Sequence, residues 1–159
     1  MLVRIIVGVI AALLLTIAGF AYHLTASVAG ERTQFDATVR EWVQTRTTIA
    51  EIESIDEYRG TESYAVVIGK NKAGTPVVAW MTADKVAFDR MDLAVPRKNV
   101  EDAVSKAFPK SEITHIVPGL EKDKKFWEVT VKDANGRYHY LHYDLFSGAL
   151  LASYVLSPT

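Results

Sequence analysis

No cysteine occurs among the 159 residues. That absence removes disulfides, thiolate metal sites, a cysteine nucleophile and a lipid-modified cysteine anchor together. Charge of one sign is lacking too: 18 Lys and Arg stand against 19 Asp and Glu. A net basic face, the footprint of nucleic-acid binding, is therefore not expected. The sequence holds no G-x-S-x-G, H-E-x-x-H or S-x-x-K pattern and no phosphate-cradling glycine loop. A catalytic serine of the penicillin-binding type is excluded with them.

The four histidines do not form a ligand set. His23 and His115 stand alone, and His139 and His142 fall three positions apart on an expected strand, where they point to opposite faces. The loop Asp133-Ala134-Asn135-Gly136 shares a fragment with a calcium loop. With Gly136 at the sixth position, however, Val131 and His142 fill the first and twelfth, which need oxygen ligands. Carboxylate pairs such as Glu51 with Glu53, or Glu101 with Asp102, read as solvated charges. No metal, cofactor or catalytic residue is expected.

One long apolar run is present. No Asp, Glu, Lys or Arg occurs between Arg4 and Glu31. A helix over residues 5–24 would be about 30 Å long, the thickness of a bilayer core. Tyr22 and His23 fall where an interfacial belt would lie. Arg4 and the amino terminus put residues 1–4 in the cytoplasm and the chain after Leu24 outside the cell membrane, as a single-pass protein. Cleavage near Ser27-Val28-Ala29 is the competing reading, but the run exceeds the ~7–15 residues of a signal core.

The rest reads as α+β. Phe35, Val39, Trp42, Val43, Ile49 and Ala50 recur at helical spacing and predict an amphipathic helix over 31–52. Strands are expected at 54–58, 63–69 and 76–82, with a weaker strand or connector at 84–92. A second helix over 96–108 would be capped by Asn99 and stopped by Pro109. Further strands fall at 112–117, 125–132, 137–144 and 150–156. Shifted by 62 positions, Tyr64 meets Phe126, Val67 meets Val129, Lys70 meets Lys132 and Gly74 meets Gly136. The halves 25–94 and 95–159 thus read as a duplication, each a helix packed on an antiparallel β-meander.

Several stretches resemble one family. Gly60-Thr61-Glu62-Ser63-Tyr64, then Val66 to Gly74 with its Gly-Lys-Asn-Lys, then Trp80, are similar to the first half of the TseB-like (YpmB-type) proteins of Firmicutes. Trp127-Glu128-Val129-Thr130, Gly136-Arg137-Tyr138 and Asp144-Leu145 with Gly148 are similar to the second half. The helix beginning Asn99-Val100-Glu101-Asp102-Ala103 resembles the start of a PepSY unit. Leu145 stands where the family often has Phe, and Ala149 where an acidic residue is common. The resemblance implies an N-terminal transmembrane helix followed by two tandem PepSY/cystatin-like units. It also implies a non-catalytic regulator of cell-wall elongation that contacts a class B penicillin-binding protein. PepSY units in protease propeptides leave a protease-inhibitor or chaperone-like module as the alternative, beside a wall-polymer or small-ligand binder.

Candidate partner-binding residues follow from chemistry. Aromatics dominate interface hot spots, which selects Tyr64, Trp80, Tyr138 and Tyr140. Tyr138, Tyr140 and His142 share one stripe of a strand, and His139, Leu141 and Tyr143 share the other; one stripe should be exposed if the sheet packs on one side. Trp127 and Val129 are assigned to the core. Lys70 and Lys72 flank a hairpin tip and suit an anionic surface.

Overall fold

A computed structural model describes the backbone of residues 2–156 and the side chains of residues 13–18, 20 and 30–156. The elements run α1 (Leu2–Arg46), β1 (Ile49–Arg59), β2 (Ser63–Asn71), β3 (Pro76–Met81), β4 (Val86–Arg90), α2 (Arg97–Ala107), β5 (Glu112–Glu121), β6 (Lys124–Lys132), β7 (Tyr138–Asp144) and β8 (Leu150–Leu156). The protein is α+β, with two four-stranded antiparallel sheets in the orders β1-β2-β3-β4 and β5-β6-β7-β8. The chain divides into two compact units, Met1–Glu41 and Trp42–Thr159.

The first unit is helical throughout its described backbone. Its described large apolar side chains, Leu13, Leu14, Leu15, Ile17 and Phe20, are 57–74 % exposed. Nearer its end, Arg32 pairs with Asp36 at 3.2 Å and lies over the Phe35 ring. Most side chains of the expected span 5–24 lie outside the described residues. Among the described residues no helix is long and apolar enough to cross a membrane.

The second unit opens with the last turn of α1. The helix stops at Arg46, six residues short of the expected end, for a local reason. Thr47 Oγ1 donates to the Val43 carbonyl at 2.7 Å and accepts the Ile49 N–H at 3.1 Å, which turns the chain into β1. Ile49 and Ala50 therefore alternate on a strand, one buried and one exposed, instead of extending a helical stripe. Arg46 fastens the turn by donating to the carbonyls of Thr82 and Ala83 at 2.8 and 3.0 Å.

Residues 84–92, expected as strand or connector, contain β4, which pairs with β3 through Val86–Arg90. The second helix starts at Arg97, earlier than a cap at Asn99 would allow. Pro96 occupies the N-cap with no side-chain cap, and Asn99 lies inside the first turn with its N–H on the Pro96 carbonyl. Proline's fixed φ starts the helix without a capping side chain. Asp102 accepts from Lys98 one turn away at 2.8 Å. β5 continues past Val117 through Pro118 to Glu121; as an edge strand it tolerates a residue with no N–H.

The turns of the two sheets match in their side-chain bonds at a fixed offset. Asn71 Oδ1 accepts the N–H groups of Ala73 and Thr75 at 2.9 and 3.0 Å. Its counterpart Asp133 accepts those of Asn135 and Arg137 at the same two distances. Gly74 and Gly136 both take φ near +80°, which only glycine adopts without cost. At the following hairpin Thr82 Oγ1 accepts from Asp84 and Lys85, while Asp144 Oδ1 accepts from Phe146 and Ser147. All these pairs are 62 positions apart.

One buried cluster joins the two sheets and α2. It contains Tyr58, Val66, Val78 and Trp80 from the first sheet, Val100 and Val104 from α2, and Val117, Trp127, Val129 and Leu141 from the second. Trp127 is a core residue, as expected, and donates from Nε1 to the Val95 carbonyl at 3.0 Å. Lys125 and Asp89, both largely buried, tie the sheets at 2.7 Å.

Candidate functional site

The two sheets meet at their hairpin ends, and Glu121 holds the joint. Its Oε1 accepts from the Tyr58 hydroxyl at 2.9 Å, the Thr61 N–H at 3.0 Å and the Thr61 hydroxyl at 3.3 Å. These donors, led by the Thr61 N–H, hold its carboxyl below the usual range. Burial, with the Glu121 carboxylate beside it, pushes the Tyr58 hydroxyl far up. A Cβ at Gly60 would stand 2.3 Å from both Glu121 Oε1 and the Tyr58 hydroxyl, so the close approach needs glycine. Lys122 and Asp123 close the β5–β6 turn with positive φ of 47° and 68°.

Glu62 makes a second contact in the same segment. It accepts from Lys85 Nζ at 2.8 Å and from the Tyr64 hydroxyl. Those two donors lower its pKa, and Glu62 in turn pushes Tyr64 up to about 12. A cleft of about 530 Å³ opens here, lined by Thr61, Glu62, Tyr64, Lys85, Glu121 and Lys122 among others. The Gly60–Tyr64 motif is thus a joint between sheets. Its carboxylates are ionised acceptors, suited to positioning and not to proton donation near neutral pH.

From this joint the outer face of the second sheet runs across β6, β7 and β8. His142 stacks on Phe126 at 4.1 Å, meets Tyr154 edge-on at 5.6 Å and places Nε2 3.0 Å from Glu128 Oε2. Phe126, His142, Leu151 and Tyr154 line a cavity of about 290 Å³ that shares Thr61, Glu121 and Lys122 with the first cleft. Tyr140 faces Thr130 on β6 and Tyr154 on β8, and Tyr138 faces Lys132 and Leu156.

The seven sequence-selected residues fall in four places. Tyr138 is 38 % exposed, and Tyr140 and His142 are partly exposed on the outer stripe, while His139, Leu141 and Tyr143 are buried. Lys70, paired with Glu53 at 3.1 Å, and exposed Lys72 sit at the far end of β2 from Tyr64. Nine strand residues put those ends roughly 27 Å apart. Trp80 is fully buried, its Nε1 donating to the Pro118 carbonyl at 2.9 Å. Tyr64 is buried apart from its hydroxyl-bearing end at the cleft. Trp80 is therefore a core bridge with no surface to offer a partner, and Tyr64 a joint residue at the cleft. Among the described residues no group of three or more His, Asp or Glu is arranged to hold a metal.

Sequence reasoning missed Glu121, Phe126, Leu151 and Tyr154. The signal for the last two was present: no charged residue follows Asp144.

Comparison with known proteins agrees with this architecture. Residues 40–82 match the model of the cell wall elongation regulator TseB-like domain. The chain is 26% identical over 153 residues to the "Probable cell wall elongation regulator TseB" of Bacillus subtilis (strain 168), covering 92% of this chain and 91% of that protein. The structure of the YpmB protein from Bacillus subtilis superimposes with a TM-score of 0.62 at 24% identity, over 74% of this chain and 94% of that one. The resemblance carried by the sequence motifs therefore stands: the chain is similar in sequence to TseB-like proteins and shares its fold with the YpmB protein.

Proposed function

We propose that this chain is a single-pass membrane protein whose extracytoplasmic domain regulates cell-wall elongation without catalysis, by binding a class B penicillin-binding protein. The likeness to the Bacillus subtilis regulator across 92% of the chain carries the reading. Lipid is the environment that suits the N-terminal helix, because no Asp, Glu, Lys or Arg lies between Arg4 and Glu31 and the described apolar side chains there are exposed. Residues 1–4 lie in the cytoplasm and 5–24 in the bilayer. The segments 25–94 and 95–159 form two PepSY-like units outside. Tethering the domain beside membrane-bound synthases raises its effective concentration there, so a modest contact surface suffices. Tyr138, Tyr140 and His142 on the outer stripe form the contact, with Lys70 and Lys72 as a separate basic tip.

Two experiments test this. A periplasmic-type phosphatase fused after Thr159 should be active, and activity only of a cytoplasmic reporter there would reverse the topology. Photo-crosslinking amino acids at Tyr138 and Tyr140 should capture a protein that fluorescent penicillin labels, whereas the same probe at Lys98, on the exposed side of α2, should not. Equal capture from all three positions, or capture of no penicillin-labelled protein, would overturn the partner assignment.

A further inference from the structure

Each sheet ends in an edge strand, and the edges differ in charge. β1 carries Glu51, Glu53, Asp56, Glu57 and Arg59, and β4 carries Asp89 and Arg90. Charges on an edge discourage pairing with another chain. β5 packs against the first sheet, with Pro118 and Glu121 occupied by Trp80 and Tyr58. β8 has none of these protections. Its sequence Leu-Leu-Ala-Ser-Tyr-Val-Leu contains no charge and no proline, and it is bonded to β7 on one side only among the described residues. Leu150, Leu151, Tyr154, Val155 and Leu156 are 49–59 % exposed. Hydrophobic side chains on both faces of an open edge mark an interface.

We infer that β8 pairs antiparallel with β8 of a second copy of this chain, joining the second sheets of the two copies into one of eight strands. The strand reads nearly alike in both directions. About a two-fold axis at Ser153, Leu150 meets Leu156, Leu151 meets Val155 and Ala152 meets Tyr154. A small side chain thus lies opposite the largest one, Ser153 meets its own copy on the axis, and the remaining cross-strand pairs are apolar, the arrangement a self-complementary interface requires. With no charge on the strand, two copies meet without like-charge repulsion. The irregularity opposite His142 and Tyr143 falls at residues 150–151 and leaves the segment around Ser153 regular.

The exposed area sets the strength. Seven half-exposed side chains, the five above with Tyr138 and Phe146, leave on the order of 600 Å² per copy at ~150–200 Å² for each when fully exposed. A standard stable interface takes about 800 Å² per partner. The dimer is therefore weak and concentration-dependent, in the range of transient assemblies. This inference does not depend on the chain contacting a wall synthase.

The absence of native cysteine makes the test clean. Ala152→Cys, Ser153→Cys and Tyr154→Cys are made singly in the full chain in detergent micelles, with Ser105→Cys on the exposed side of α2 as control. Only a residue at the two-fold axis lies close enough to its own copy for a disulfide. Ser153→Cys should oxidise to dimer several-fold faster than Ala152→Cys, Tyr154→Cys and Ser105→Cys. Sedimentation of the wild type should show dimer growing as protein concentration rises. Val155→Lys, which places like charges at the interface, should weaken the dimer at least tenfold without changing the circular dichroism spectrum. A wild-type chain that stays monomeric, with β8 cysteines no faster than the control, overturns the inference. So does a dimer that Val155→Lys leaves unchanged, or capture through β8 of a different protein by a monomeric chain.

Discussion

Replacing Glu121 tests whether the joint couples the two sheets. In Glu121→Ala the Tyr58 hydroxyl, on a side chain 1 % exposed, loses the carboxylate it donates to, while Thr61 is exposed and turns to water. An orphaned buried hydroxyl costs about 1–3 kcal/mol, and charge-assisted bonds lie at the upper end of the hydrogen-bond range. The expected loss is about 2 kcal/mol. With a urea slope of ~2 kcal/mol/M, the unfolding midpoint of the full chain falls by roughly 1 M. Glu121→Gln keeps a neutral acceptor and should lose about half as much. The two variants also differ from wild type in pH response. Because the folded carboxyl is held below its ordinary value, its contribution is complete above the unfolded-state pKa and disappears as pH falls through the folded one. The gap between wild type and Glu121→Gln should therefore be widest at pH 7 and narrow as pH falls below the ordinary carboxylate value of about 4. An Ala variant that shifts the midpoint by less than ~0.25 M, or a Gln gap that is as wide at pH 3 as at pH 7, would refute the role of the joint.

Three related outcomes can be measured on the same unfolding curves. Gly60→Ala pushes a methyl group into the Glu121–Tyr58 contact, so its loss should be comparable to that of Glu121→Ala and strongly non-additive with it in a double-mutant cycle. Trp80→Phe removes the indole donor from the Pro118 carbonyl in the core and should cost about 1–3 kcal/mol; a neutral result would mean that this bond does not tie the sheets. Asp133, held far below the carboxylate range first by His139 and then by the Arg137 and Asn135 N–H groups, stabilises its hairpin above the unfolded-state pKa. Asp133→Ala should lower the melting temperature at pH 7 and leave it nearly unchanged in strong acid.

The meander pattern was legible because each strand alternates or runs apolar between turn residues whose chemistry is local. Asn71, Asp133 and their glycines bond within their own loops, so no distant partner is needed to recognise them. Three features were not legible, and each depends on groups far apart in sequence or on geometry. The helix end at Arg46 rests on a threonine hydroxyl with two partners and on carbonyls 36 residues away. Trp80 was selected as a contact because size and polarity suit an interface, but those same properties suit a buried ring with its N–H on a carbonyl across the core. Glu121 looked like an ordinary charge at a turn, since its donors lie about 60 positions earlier.

The repeat also separates what folding demands from what it merely permits. Asp89 and Arg90 on β4 correspond, 62 positions on, to Leu151 and Ala152 on β8. Both pairs sit on the last strand of a four-stranded meander, after a turn held by the same side-chain acceptor pattern. One copy of the architecture thus carries charge at this place, so apolar residues are not needed there to build the meander. Leu151→Asp transfers the residue of the first sheet to the second. Leu151 is 49 % exposed, so about half of the ~1.5–3 kcal/mol worth of a fully buried leucine is at stake. The expected loss is about 1 kcal/mol at protein concentrations of a few micromolar, against several for Leu141→Asp on the buried face of β7. If urea unfolding instead gave comparable losses for the two variants, the apolar edge would be a requirement of the fold, and its difference from β4 would say nothing about what β8 meets.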